Sequence, residues 1–308
     1  MRKHKFLISL LAIIPLSACE NNEINRPLNE RAITVTASVQ QTKAGYENGV
    51  LMPQKFIMDI HQGSDEKYDY SLIEMTKNTS GNTYFATNGT ELLWADENHN
   101  ADVKAMTIPF GLSTVDPDNT MIINVSTEQN NPLNVAASDL LGATSQPNGG
   151  ISIENTNINI EFQHLLSKLD VQYEFSSEFD ENAVEINSIT LQNICTTGGY
   201  SYAEMAHTAA TLQYGDIKMY NNTSESTAEA IFYPYRPTEN PSLLINATID
   251  EEIYNFTCPV VAKDTNGFIA GKRYTMKVSI KGSSVSGTEV SIAKGWDNNT
   301  QDESFVTE

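Results

Sequence analysis

From Ile33 to Val39 every second residue is apolar: Ile33, Val35, Ala37 and Val39 alternate with Thr34, Thr36 and Ser38. Side chains on a strand point to opposite faces in turn, so the stretch predicts a half-buried strand. The alternation returns at Ile158, Ile160 and Phe162, and again at Leu169, Val171, Tyr173 and Phe175, predicting two strands joined at Gln163–Ser167. Further strands are predicted at Lys55–His61, Tyr68–Met75, Glu91–Trp94, Val103–Phe110 and Thr120–Val125. In the second half they are predicted at Val184–Asn193, Ala230–Tyr233, Leu243–Ile249, Ile253–Cys258, Arg273–Lys281 and Val290–Ile292. Polar clusters such as Asp116-Pro117-Asp118-Asn119 separate them, and Thr197-Gly198-Gly199 reads as a hairpin turn. Asn134–Leu141 predicts one or two helical turns, and no long amphipathic helix is found.

Pro147, Asn148, Gly149 and Gly150 in a row continue neither a helix nor a ladder, and they split the chain into nearly equal halves. With 308 residues there is length for two units that each bury a core. Short strands with polar turns in both halves predict an all-β chain of two tandem β-sandwich domains, 32–150 and 151–308.

The first eighteen residues stand outside that pattern. Arg2, Lys3 and Lys5 precede the apolar run Phe6–Leu16, and Leu16-Ser17-Ala18-Cys19 follows. This is a secretory signal, too short and wrongly flanked for a membrane span. Its ending resembles the bacterial lipobox, which implies that Cys19 becomes an acylated N-terminus holding the protein on a membrane. Each buried methylene adds about 0.8 kcal/mol, so several acyl chains hold permanently. Residues 19–31 are polar and broken by Pro27, as expected of a tether. Only Cys195 and Cys258 then remain in the mature chain; two buried thiols are expected, with a single pairing left open.

The formal net charge is −20. Loss of residues 1–18 removes three basic residues and no acidic one, leaving −23. So acidic a surface repels phosphate backbones, and nucleic acid is excluded as a partner.

Candidate chemistry is sparse. His61, His99 and His207 stand in unrelated contexts with no zinc-ligand spacing, and His164 reads as a hydrogen-bonded corner residue. Asp116-Pro117-Asp118-Asn119 and Asp96-Glu97-Asn98 carry oxygen ligands without EF-hand spacing, so turn chemistry is the reading. No Gly-x-Ser-x-Gly and no phosphate-cradling loop occurs; no enzyme, metal or cofactor is expected. Tyr200, Tyr202, Tyr214, Tyr220, Tyr233 and Tyr235 cluster in the second half. They are read as strand-edge residues with hydroxyls in water, or as a contact surface for glycan or protein.

Several features then add up in order: Leu93-Trp94 with Val103–Pro109, Asp139–Ala143, Phe162-Gln163-His164 with Ser167–Leu169, Phe268–Tyr274, and a last strand closing on Trp296. Together they resemble the fimbrillin family, the subunits and accessory proteins of type V pili. The resemblance implies two transthyretin-like sandwiches, outer-membrane lipidation at Cys19, and other fimbrial subunits as partners, with a host protein or glycan as receptor. It also implies assembly by strand exchange: a protease removes the first strand, here Ile33–Val39, and a strand of another subunit fills the groove. A cut after arginine is typical of the family, yet no arginine lies between Arg31 and Trp94. Arg31 precedes the strand and Lys43 follows it, so Lys43 is the better-placed processing site. The short acidic end after Trp296 offers only Phe305 and Val306 to a groove, and a full donor strand would include Val290–Trp296. A tip, anchor or minor role is therefore expected over a stalk role. A monomeric outer-membrane β-sandwich lipoprotein that binds glycan or host protein is the competing reading.

Overall fold

The computed structural model describes residues 31–39, 52–63, 66–95, 101–145, 157–179, 184–238, 241–262, 266–281, 284–287 and 291–292. Cys19, Lys43, His99, Asp96-Glu97-Asn98, the Pro147–Gly150 breaker, Trp296, Phe305 and Val306 lie outside them.

The chain is all-β. Its first unit contains β1 (Thr34–Val39), β2 (Lys55–His61), β3 (Tyr70–Lys77), β4 (Thr83–Ala86), β5 (Asp102–Met106), β7 (Leu141–Thr144) and β8 (Asn157–His164), which pair in the closed order β1-β4-β3-β2-β5-β7-β8. Where a sandwich is expected, this sheet closes, because β1 is paired along both edges. Phe56, Met58, Ile60, Met75, Trp94, Ile158 and Phe162 fill the interior.

The second unit has two sheets. One has the order β11-β10-β14-β15, from β10 (Val184–Ser201), β11 (Ala206–Lys218), β14 (Ser242–Ile249) and β15 (Glu252–Pro259), with β6 (Met121–Asn124) added along β10. The other has the order β12-β13-β9-β16-β17, from β9 (Ser167–Phe175), β12 (Tyr220–Asn222), β13 (Thr227–Phe232), β16 (Arg273–Lys281) and β17 (Ser284–Gly287); β18 (Ser291–Ile292) also pairs with β16. One helix, α1 (Pro132–Ser138), is capped by the Asn131 side chain, which accepts from Asn134 N, and has proline in its first turn.

The ladders do not divide at residue 150. β8 follows the breaker yet closes the first sheet, and β6 precedes it yet pairs with β10. The periodicity of a strand fixes which face it buries, not which sheet it joins. The two units also share apolar contacts. Ile57 of β2 and Met106 of β5 join the second core with Leu140, Leu166, Tyr200 and Tyr202.

Two local expectations are corrected. Thr197-Gly198-Gly199 is not a turn: it lies inside β10, which runs on to Ser201 alongside β6 and β11. Nor are Tyr200, Tyr202, Tyr233 and Tyr235 at wet strand edges; all four are buried in the second core. Large apolar area drives that burial, which overrides the cost of enclosing hydroxyls.

Candidate functional site

The predicted first strand is paired along both edges, with β4 and with β8. Ile33, Val35, Ala37 and Val39 are all buried, with Val35 fully so. Their alternation with Thr34, Thr36 and Ser38 leaves one face in the barrel and the other turned out. Along one edge β1 makes a parallel ladder with β8 in continuous register from Thr34↔Asn157 to Val39↔Phe162. On the outer face the Thr36 hydroxyl is bonded to the Asn159 side chain. Along the other edge the antiparallel pairing with β4 is brief, Val35↔Tyr84 and Thr36↔Thr83. Ile33 N donates to Leu92 O at 2.7 Å, Trp94 N to Arg31 O at 3.0 Å, and Ala37 N to Asn82 O at 3.2 Å.

The inner side chains of this segment, Ile33, Val35, Ala37 and Val39, are small or β-branched. Burial of each valine contributes about 1.5–3 kcal/mol, so β1 in place stabilises the barrel substantially. Without it, the β8 and β4 edges would present unpaired N–H and C=O groups beside an apolar stripe that includes Ile158, Ile160 and Phe162.

Of the predicted site residues, only Arg31 and the β1 residues are described. Arg31 lies three residues before β1; its carbonyl accepts from Trp94 N, and its buried Nε has no hydrogen-bond partner among the described residues. The histidines are dispersed. His61 pairs with Asp69 at 2.5 Å on the surface, while His164 Nδ1 lies 2.8 Å from Asp139 Oδ2. Asp116 is turn chemistry: Oδ1 accepts from Asp118 N at 2.9 Å and Asn119 N at 3.0 Å. The bond from Asp118 N above all, with those from the Asn119 side chain and backbone, holds its carboxyl below the ordinary value. Among the described residues no group of three or more His, Cys, Asp or Glu is placed to hold a metal. Cys195 and Cys258 are both buried and free; burial pushes each thiol up to about 11.

Sequence reading missed the joint between the units. There Leu165 N donates to Leu140 O at 2.9 Å, Lys104 Nζ of β5 donates to Ala203 O at 2.5 Å, and the Leu165 side chain covers Gly142 of β7. Asp59 of β2 accepts from Leu72 N at 2.6 Å. Burial above all, with the Asp59 carboxylate beside it, raises the Tyr202 hydroxyl. Asp139 and His164 stand 25 residues apart, and nothing in linear order says that they meet.

Residues 29–296 match the family described as fimbrillin-like. A candidate cell adhesion protein from Bacteroides uniformis is 17% identical and superposes with a TM-score of 0.63, covering 86% of this chain and 98% of that one. A second, from Bacteroides ovatus, is 15% identical at a TM-score of 0.63, covering 89% and 99%. These likenesses establish a shared fold. None of the curated proteins compared with the chain matches it. With its family profile matched over 29–296 of the 308 residues, the chain belongs to the fimbrillin-like family.

Proposed function

We propose that this chain is a lipid-anchored structural and adhesion protein of the bacterial surface, a fimbrial subunit or accessory subunit in which β1 is an exchangeable strand. The observation that carries the reading is the seat of β1: a continuous parallel ladder to β8, a short pairing to β4, and four small or β-branched side chains in the barrel. Cys19 is the acylated anchor on the outer membrane, Lys43 the processing site after the strand, and Arg31 the alternative before it. Other fimbrial subunits are the partners, with a host protein or glycan as receptor. Two transthyretin-like units remain our reading of the domain organisation, with β6 and β8 crossing the expected boundary.

No observation favours the competing reading of a monomeric glycan- or protein-binding lipoprotein. The tyrosine cluster that suggested it is mostly interior, leaving Tyr214 exposed. Limited trypsin digestion of the mature chain, followed by size exclusion and N-terminal sequencing, tests the proposal. A new N-terminus after Lys43 together with a ladder of oligomers is expected. A chain trimmed only at Arg26 or Arg31 that stays monomeric would overturn strand exchange.

A further inference from the structure

Residues 92–95, between β4 and β5, belong to no strand, yet they run as a strap along the entry to β1. Ala32 and Leu93 form an isolated antiparallel bridge. On either side of it Ile33 N donates to Leu92 O at 2.7 Å, and Trp94 N to Arg31 O at 3.0 Å. Leu92 and Trp94 are buried in the first core, so side chains anchor the strap as well.

In that pairing Leu93 turns its own N–H and C=O away from Ala32. Two side chains receive them in place of a strand. The Tyr70 hydroxyl accepts from Leu93 N at 2.8 Å, and the Gln62 amide donates to Leu93 O at 2.9 Å. The same amide donates to Tyr68 O at 2.7 Å and accepts from Ala95 N at 2.9 Å. Gln62 is 2% exposed, and Asp69 fixes its backbone, Oδ1 accepting from Gln62 N at 2.7 Å. Gln62 and Tyr70 therefore satisfy, along the outer edge of the strap, backbone groups that a neighbouring strand would otherwise take.

Extended peptides are bound by adding a strand, so a protease needs the main-chain groups around the bond it cuts. Around Arg31–Ala32 the carbonyl of Arg31 and the N–H of Ile33 are already bonded to the strap, and Arg31 Nε is buried. We infer that the strap is a shield over the Arg31–Ala32 bond, held shut by Gln62 and Tyr70, and that this bond opens to a protease only when the strap lifts. Cutting of such a bond tracks the population of the lifted form. For a removable β1, the cut that frees it then falls after Val39 while the barrel is closed. That consequence rests on the reading of β1 as exchangeable, whereas the shield itself does not.

An arginine-specific protease acting on the mature full-length chain, with fragments timed by mass spectrometry, tests the shield without any assembly step. Arg273, within the β9–β16 ladder, reports general unfolding in the same chain. The wild-type Arg31–Ala32 bond is expected to be cut about a hundredfold more slowly than the same bond in a peptide of residues 27–36. Tyr70→Phe removes only the acceptor for Leu93 N and is expected to speed the cut about tenfold. Gln62→Met, which loses three hydrogen bonds at similar side-chain length, is expected to speed it about a hundredfold, with Arg273 uncut in both variants. A wild-type bond cut as fast as the peptide would overturn the shield. So would an unchanged rate in Tyr70→Phe, or cuts at Arg31 and Arg273 that rise together in it. If Gln62→Met does not fold, Tyr70→Phe decides alone, since its ring keeps the packing. Failure of strand exchange would leave these rates unchanged, and failure of the shield would leave exchange after a cut at Lys43 standing.

Discussion

The ring of Tyr233 occupies the space that a side chain at Gly198 would need: a Cβ there would stand 2.2 Å from Tyr233 Cε1 and Cζ. Glycine at 198 is thus a packing requirement within β10, and the tyrosine depends on it, since its hydroxyl reaches Gly199 O from this position. Gly198→Ala is expected to cost about 1–3 kcal/mol, the range for overpacking a close-packed core. In urea unfolding, Tyr233→Leu should recover part of that loss in the double variant. Strict additivity of the two changes would contradict the contact.

Ala37 sets the width of the barrel at β1. It is 5% exposed on the inner face between two valines. Ala37→Leu is expected to destabilise the first unit by about 1–3 kcal/mol, and Ser38→Leu, on the outer face, by less than about 0.5 kcal/mol. Equal effects from denaturant midpoints would show that the strand is not seated in this register.

Lys168 of β9 is buried between acids. Its Nζ contacts Glu229 of β13 and lies 3.5 Å from Asp170, which also binds Arg273 of β16. Lys168→Met removes the cation and leaves Glu229 and Asp170 short of positive charge in a place where water is scarce. A loss of about 3 kcal/mol is expected from the unbalanced carboxylates. The double change Lys168→Met with Glu229→Leu should be milder than Lys168→Met alone.

Cys195 and Cys258 are expected to be inert in the folded chain. Burial raises both thiols to about 11, which leaves little thiolate at neutral pH, and both side chains lie in the second core. A thiol reagent should modify neither in buffer and both in denaturant. Rapid labelling of either residue in the native state would refute the packing described.

The sequence revealed strands well where one face is wet. The alternation at Ile33–Val39 became β1 with its faces as read, and the two strands meeting at Gln163–Ser167 became β8 and β9. It revealed little where both faces are covered. The end of β10 is buried from Cys195 to Tyr200, so its pattern loses period two, and two glycines then look like a turn. β11 shows no clean alternation, and its ladder with β10 carries three irregularities, which break period two. The exchange of β6 and β8 across the breaker was illegible for another reason. Partner choice depends on contacts far apart along the chain, and a local pattern carries no address for them. At the β1 seat the sequence predicted the strand itself but not its parallel partner β8. The Leu165 corner was invisible, because His207 and Leu165 are brought together only by the packing of β11 on the β8–β9 turn.

If β1 is the exchangeable strand, it must leave the barrel before the chain can assemble. Thr36 and Asn159 are paired across β1 and β8 on the outer face, so a Thr36→Cys/Asn159→Cys chain can form a disulfide with little backbone movement. Trypsin treatment of this variant, oxidised and then reduced, with oligomers followed by size exclusion, is the most direct measurement. Monomers are expected while the bond is intact and a ladder of oligomers once it is reduced. Oligomers forming equally well with β1 stapled in place would contradict it.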